Sequence, residues 1–185
     1  MPLIRREKSQ WCWAACAQMV VKKYRPNDSH SQTDMARIGQ QLDAGQMPSN
    51  TDNNYLAIER IVGNCTDNTV SLIHKTDANF TENDLRTQLN AGSPVIYLSS
   101  RYSNSGARTG GHFRVIYGYY WLESANKYVY LVHEPYDFSN FHLDIWERSW
   151  ANIMDEEASG VNNIDRPVSD SDIYYRATEF LYFSN

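Results

Sequence analysis

The residues of this 185-residue chain best suited to chemistry begin in Ser9–Met19, SQWCWAACAQM, which sets Cys12 between Trp11 and Trp13 where a helix should start. A cysteine in the first turn of a helix meets unpaired N–H groups and the positive end of the macrodipole, both of which favour thiolate over thiol. The anion is the nucleophile, and an imidazolium beside it would lower the thiol's pKa further. The same amides can serve a second purpose, since the backbone N–H of Cys12 is suited to holding the oxyanion of a tetrahedral intermediate. Trp11 and Trp13 would shield such a site from water. The plain alternative is a buried cysteine acting as a small apolar residue.

A thiolate needs a base. Of the five histidines, His30, His74, His112, His133 and His142, only His112 follows a Gly-Gly pair and opens a strand-like run, HFRVIYGYYW. Its ring could project from a sheet edge toward a helix N-terminus, although a histidine taken alone has an equally ordinary structural reading. An acid that orders this ring would come from the next strand. A hairpin of HFRVIYGYY and YVYLVHE turning near Glu123 sets Glu134 opposite His112, where a carboxylate can fix the tautomer. A turn centred at Ala125 brings the facing position to Asp137. Spacing leaves both open. Cys16, one turn beyond Cys12, lacks the terminal amides and is expected in the core.

Helices and strands must bring these groups together. Cys12–Tyr24, CWAACAQMVVKKY, has apolar residues at helical spacing with neither Gly nor Pro, and Arg25-Pro26 stops it. The spacing predicts further helices over Thr33–Leu42, Asn53–Val62 and Thr81–Asn90, the last opened by Thr81 and Asp84 at capping-box spacing, with a loop over Asp43–Asp52. After Gly92 the pattern turns to Val, Ile and Tyr. Pro94–Ser100, His112–Trp121 and Lys127–Pro135 read as strands, with Arg101–Gly111 as a polar loop delivering His112 to the start of its strand. Trp146–Met154 reads as a short helix and Ile173–Phe183 as a final strand. A helical layer followed by an antiparallel sheet is the α+β class. We expect one domain over residues 1–185, helical over 1–92 and sheet-rich over 93–185.

Composition excludes some functions. Hydrophobic residues at 42% and charged residues at 21% are those of a globular chain. A net charge of −5 weighs against nucleic-acid binding, which relies on clustered Lys and Arg. No apolar run nears the roughly 20 residues a membrane span requires, and MPLIRREKSQ is too short and polar for a signal peptide, so localisation stays open. Three cysteines, Cys12, Cys16 and Cys65, do not make a disulfide framework, and reduced thiols are the expectation despite a conceivable Cys16–Cys65 bridge. Cys12 and Cys16 have no His or Cys pair following at zinc-ligand spacing, so no metal is expected and the chemistry calls for no cofactor.

QWCWAACAQMV, GGHFRVIYGYY and YLVHEPY together resemble, in order and rough spacing, the papain-like cysteine proteases. The resemblance is closest to the bacterial branch of secreted plant-pathogen effector proteases and double-glycine leader peptidases. It covers roughly Arg5–Met19 and Gly110–Tyr136. It implies a papain-like fold and a cysteine endopeptidase with Cys12 as nucleophile, His112 as general base and acid, and Glu134 as the orienting residue. The implied partners are a protein or peptide substrate and, for an exported effector, a delivery or activating factor. Two departures stand out. Relatives carry Asp or Asn before Pro where this chain has Glu134, which leaves Asp137 as an alternative. They also carry a Gln oxyanion donor six residues before the nucleophile, where this chain has Arg6, and Gln10 is too near Cys12 to take over. With the same triad the resemblance also admits an amidase, an acyltransferase or a weakened binding protein.

Overall fold

The computed structural model describes residues 1–103, 105–136, 145–154 and 173–183. Three helices come first: α1 (Cys12–Tyr24), α2 (Gln32–Gly39) and α3 (Tyr55–Cys65). A strand β1 (Leu72–Thr76) and a helix α4 (Glu82–Asn90) follow. Then come β2 (Val95–Ser103), β3 (Arg108–Leu122), β4 (Lys127–His133), β5 (Ile145–Arg148), α5 (Trp150–Met154) and β6 (Ile173–Phe183). Among the described residues the strands form one antiparallel sheet in the order β1-β6-β2-β3-β4-β5. The class is α+β, as expected.

The differences from expectation have local causes. Helix α2 ends at Gly39, before Leu42, because Gln41 turns left-handed with φ 56. The segment expected as a loop before His112 is largely paired strand. Arg101 faces Gly110 and its Nε donates to Thr109 Oγ1 at 3.0 Å, while Gly106, with φ 76, lies in the tight connection. His112 is therefore the fifth residue of β3 instead of its first. The helix expected over Trp146–Met154 divides into β5, whose backbone pairs with β4, and the short α5, so tertiary pairing overrides local preference. Strand β1 was not foreseen, and it borders β6.

Alternate residues of the central strands point to opposite faces. Ile96, Leu98, Phe113 and Val115 pack with α1, α2 and α3 in one core; Val95, Tyr97, Ile116 and Tyr130 pack with Leu85 of α4 and Ile153 of α5 in the other. Helices thus cover both sheet faces.

The first core has a narrow point that bears on the site. Trp13 is fully buried, and a Cβ added at Gly39 would lie 2.5 Å from its ring. Substituting Ala improves helix propensity by at most about 1 kcal/mol, whereas overpacking costs about 1–3 kcal/mol. Gly39→Ala is expected to lower stability in urea unfolding and, by displacing the neighbour of Cys12, to change the alkylation rate of that thiol.

Candidate active site

Helix α1 begins at Cys12 as its sequence requires, with Trp11 at the cap position and no side chain capping the first turn among the described residues. Its leading amides are thus left for whatever binds there. Both flanking tryptophans are core residues. The Trp11 indole N–H donates to the Ser49 carbonyl at 2.9 Å and that of Trp13 to the Thr51 carbonyl at 3.1 Å, tying the loop between α2 and α3 to the helix start. The chain before α1 is held by buried Gln32, whose Oε1 accepts from the Glu7 N–H at 2.6 Å and whose Nε2 donates to the Arg5 carbonyl at 3.0 Å. This clamp sets Arg6 beside the end of β4, where its N–H donates to the Pro135 carbonyl at 2.8 Å.

Strand β3 supplies the ring. The Cys12 sulfur is hydrogen-bonded to the His112 side chain and accepts the backbone N–H of Phe113. His112 Nε2 donates to Glu134 Oε1, which leaves Nδ1 for the sulfur. Glu134 reaches His112 through a bulge. From Leu122↔Lys127 to Gly118↔Leu131 the β3–β4 register is constant, and it then shifts by one residue to Ile116↔Val132 and Val115↔His133. Continued one step, the shifted register sets Glu134 across from Arg114, on the side of β3 shared with His112. Without the shift Glu134 would face Val115, whose side chain lies in the core on the other side. The hairpin turns midway between Ser124 and Ala125, between the two positions considered from the sequence.

The carboxylate is split between two partners. Glu134 Oε1 takes His112 and also the Tyr136 N–H at 2.9 Å, while Oε2 accepts from Arg114 Nε at 2.7 Å. The Glu134 and Arg114 side chains are only 2% and 6% exposed, and the His112 side chain 11%. Burial alone would raise the Glu134 carboxyl, but the His112 and Arg114 charges and their hydrogen bonds bring it down to about 2. Burial would likewise lower His112, yet Glu134 and the Cys12 sulfur lift it to about 9. For Cys12, burial opposes ionisation and is outweighed by the charge and hydrogen bond of His112, the Phe113 N–H and the Arg6 charge, so the thiol sits below its ordinary value. Each shift favours the charged form of its group: the thiol is lowered, the imidazole raised and the carboxyl lowered.

Cys16 differs sharply from Cys12. Burial pushes its thiol far up, and the negative charges of Cys12 and Glu134 add to the effect. All three cysteines are free and buried. Arg6 stacks its guanidinium 3.8 Å from the centre of the Tyr136 ring, which stands edge-on to His112. Gln10 is exposed, and its N–H donates to Asn50 Oδ1 at 3.0 Å. Asp137, the alternative acid, and His142 lie outside the described residues. His74 stacks on Tyr55 and His133 on Tyr117, which are packing roles.

Arg114, Tyr136 and Gln32 escaped sequence reasoning. The same-side spacing of Arg114 and His112 in a strand was the only available signal for any of them. Among the described residues no helix is long and apolar enough to cross a membrane. No curated protein matches the chain. The family model described as Peptidase_C39 like family matches residues 1–157, a span that holds every group of this site and ends before β6.

Proposed function

This chain belongs to the Peptidase_C39 like family of papain-like cysteine peptidases, and on that premise we propose that it is an endopeptidase working through Cys12, His112 and Glu134. The observation that carries the reading is the hydrogen bond from the His112 ring to buried Glu134, with the charge of that ring acting in turn on the Cys12 sulfur at the start of α1. In this mechanism the Cys12 thiolate attacks the scissile carbonyl carbon, and the carbonyl electron pair moves onto oxygen. The Cys12 N–H and the positive charge of Arg6 favour that oxyanion. Collapse of the intermediate expels the amine, which takes its proton from His112. Water, losing a proton to His112, then attacks the thioester and frees Cys12. Glu134 keeps the ring oriented and stabilises it whenever it carries the extra proton, and Arg114 holds Glu134.

Arg6 stands where relatives carry an amide, and this favours a second reading in which the same cleft binds without turnover. Alkylation separates the two. At pH 6 iodoacetamide should modify Cys12 roughly 10²–10³ times faster than Cys16 or Cys65, because only an ionised thiol reacts. Equal rates would leave a binding protein. Incubation with a mixed protein lysate and with purified sacculi then distinguishes peptidase from cell-wall amidase, and cleavage of sacculi alone would overturn the endopeptidase assignment. The setting to which the proposal extends is that of an effector delivered into another cell, with a delivery factor as partner.

A further inference from the structure

Across the first core from the active centre, three unlike donors meet. Asp28 and His30 lie in the turn between α1 and α2, and Cys65 is the last residue of α3. Their ligand atoms, a carboxylate oxygen, an imidazole nitrogen and the sulfur, all lie within 4.8 Å of one another. From this juxtaposition we propose that Asp28, His30 and Cys65 form a binding site for a divalent transition-metal ion of the zinc type.

The donor chemistry is the first argument. Sulfur, imidazole nitrogen and carboxylate oxygen are the ligands zinc takes, and three of them with one solvent position complete a tetrahedron. Zinc–ligand lengths of about 2.0–2.3 Å place tetrahedral donors roughly 3.3–3.8 Å apart, so the widest separation in the cluster closes by at most about 1–1.5 Å while the Asp28–His30 pair opens by about 0.6–1.1 Å. His30 Nδ1 now donates to Asp28 Oδ1 at 2.7 Å, and an ion would take the place of that hydrogen bond.

Rigidity is the second. The Asp28 N–H is bonded to the Arg25 carbonyl at 3.0 Å, Lys22 Nζ donates to the Asp28 carbonyl, and the His30 N–H donates to Asp28 Oδ2 at 3.1 Å. On the other side, Arg25 Nη2 reaches the Thr66 carbonyl at 3.2 Å and Asp67 Oδ2 at 3.0 Å, locking the end of α3 to the same turn. The Asp28 side chain is 6% exposed and His30 39%, which leaves one open face for entry and for a water ligand.

Charge is the third. The carboxylates of Asp28, Asp34 and Asp67 act on the Cys65 sulfur, negative charge that a bound cation offsets. On binding, the Cys65 proton leaves to solvent as the metal–sulfur bond forms. The site is separate from the catalytic line, and its loss need not alter Cys12.

Cobalt titration of the full chain tests the assignment, since a Co²⁺–thiolate bond gives a charge-transfer absorption band. The band is expected to saturate at one ion per chain and to persist in Cys12→Ala. Cys65→Ser should abolish it. His30→Ala, at an accessible position that does not threaten folding, should weaken affinity by at least the roughly 10–100-fold that loss of an outer-shell partner costs. Zn²⁺ should compete for the site and raise the thermal midpoint of the wild type but not of His30→Ala. A band that vanishes in Cys12→Ala and survives in Cys65→Ser would place the ion at the active centre, and absence of any band at millimolar Co²⁺ would equally overturn the proposal.

Discussion

Cys12→Ala is expected to reduce peptide turnover by more than about 10⁴-fold while the protein keeps its near-ultraviolet circular dichroism and unfolds within a few degrees of the wild type. Removing the nucleophile of a serine protease costs about 2 × 10⁶ in kcat, with residual catalysis coming from the oxyanion site and binding. The fold should survive because Cys12 contributes one sulfur at the rim of a core otherwise built by Trp13, Met19, Ile58 and Ile61. Cys16→Ala is the control. That thiol lies in the same helix and the same core, yet burial and the anions beside it keep it protonated. It should lose some stability through the small cavity left behind and retain turnover within a few-fold. Equal loss in the two variants would remove Cys12 from its role.

Glu134→Ala should damage activity and stability together. The substitution leaves the Arg114 guanidinium facing a methyl group where a carboxylate had been, and breaking a buried ion pair from one side costs about 3–5 kcal/mol. It also frees the His112 ring to rotate away from Cys12. In a serine protease, neutralising the corresponding acid lowers kcat by about 10⁴. Glu134→Gln separates the effects, since it preserves shape and one accepting oxygen while losing the charge and the second acceptor. Its stability should be closer to wild type, with turnover still severely reduced.

The pH dependence follows from the same pair. The Glu134 carboxyl is depressed in the fold from an ordinary 4.5 to about 2, so its stabilisation is present above pH 4.5 and is lost as pH falls toward 2. His112 is raised from 6.5 to about 9, so its share is complete below pH 6.5 and disappears as pH rises through 9. The contribution is greatest between about pH 4.5 and 6.5, and Glu134→Gln should flatten the stability profile across that window. The imidazolium that supplies the leaving group's proton is lost as pH rises through about 9, where turnover should fall. A wild-type profile that keeps rising past pH 9 would contradict the ion pair.

Cys12–Tyr24 was legible in full because its periodicity and its Pro stop are local properties, and local properties are what a sequence displays. The final strand Ile173–Phe183 was equally clear. The rest of the sheet was less so. Strand β1 gains its pairing from β6, about a hundred residues later in the chain, and β5 takes its form from β4; neither signal exists within the segment itself. The hairpin leading to His112 hid behind polar residues that suit a loop and an exposed strand alike.

What the sequence determined by itself was the inventory: a cysteine at a helix start, a histidine in a strand and acids after the next strand. The choice of acid belonged to the tertiary structure. A single extra residue between Ile116 and Gly118 rotates the later half of the β3–β4 ladder by one position. Because side chains alternate along a strand, that one step turns Glu134 from the side of Val115 to the side of His112 and Arg114. Such a slip is paid for by packing on both faces of the finished sheet, which no stretch of sequence contains.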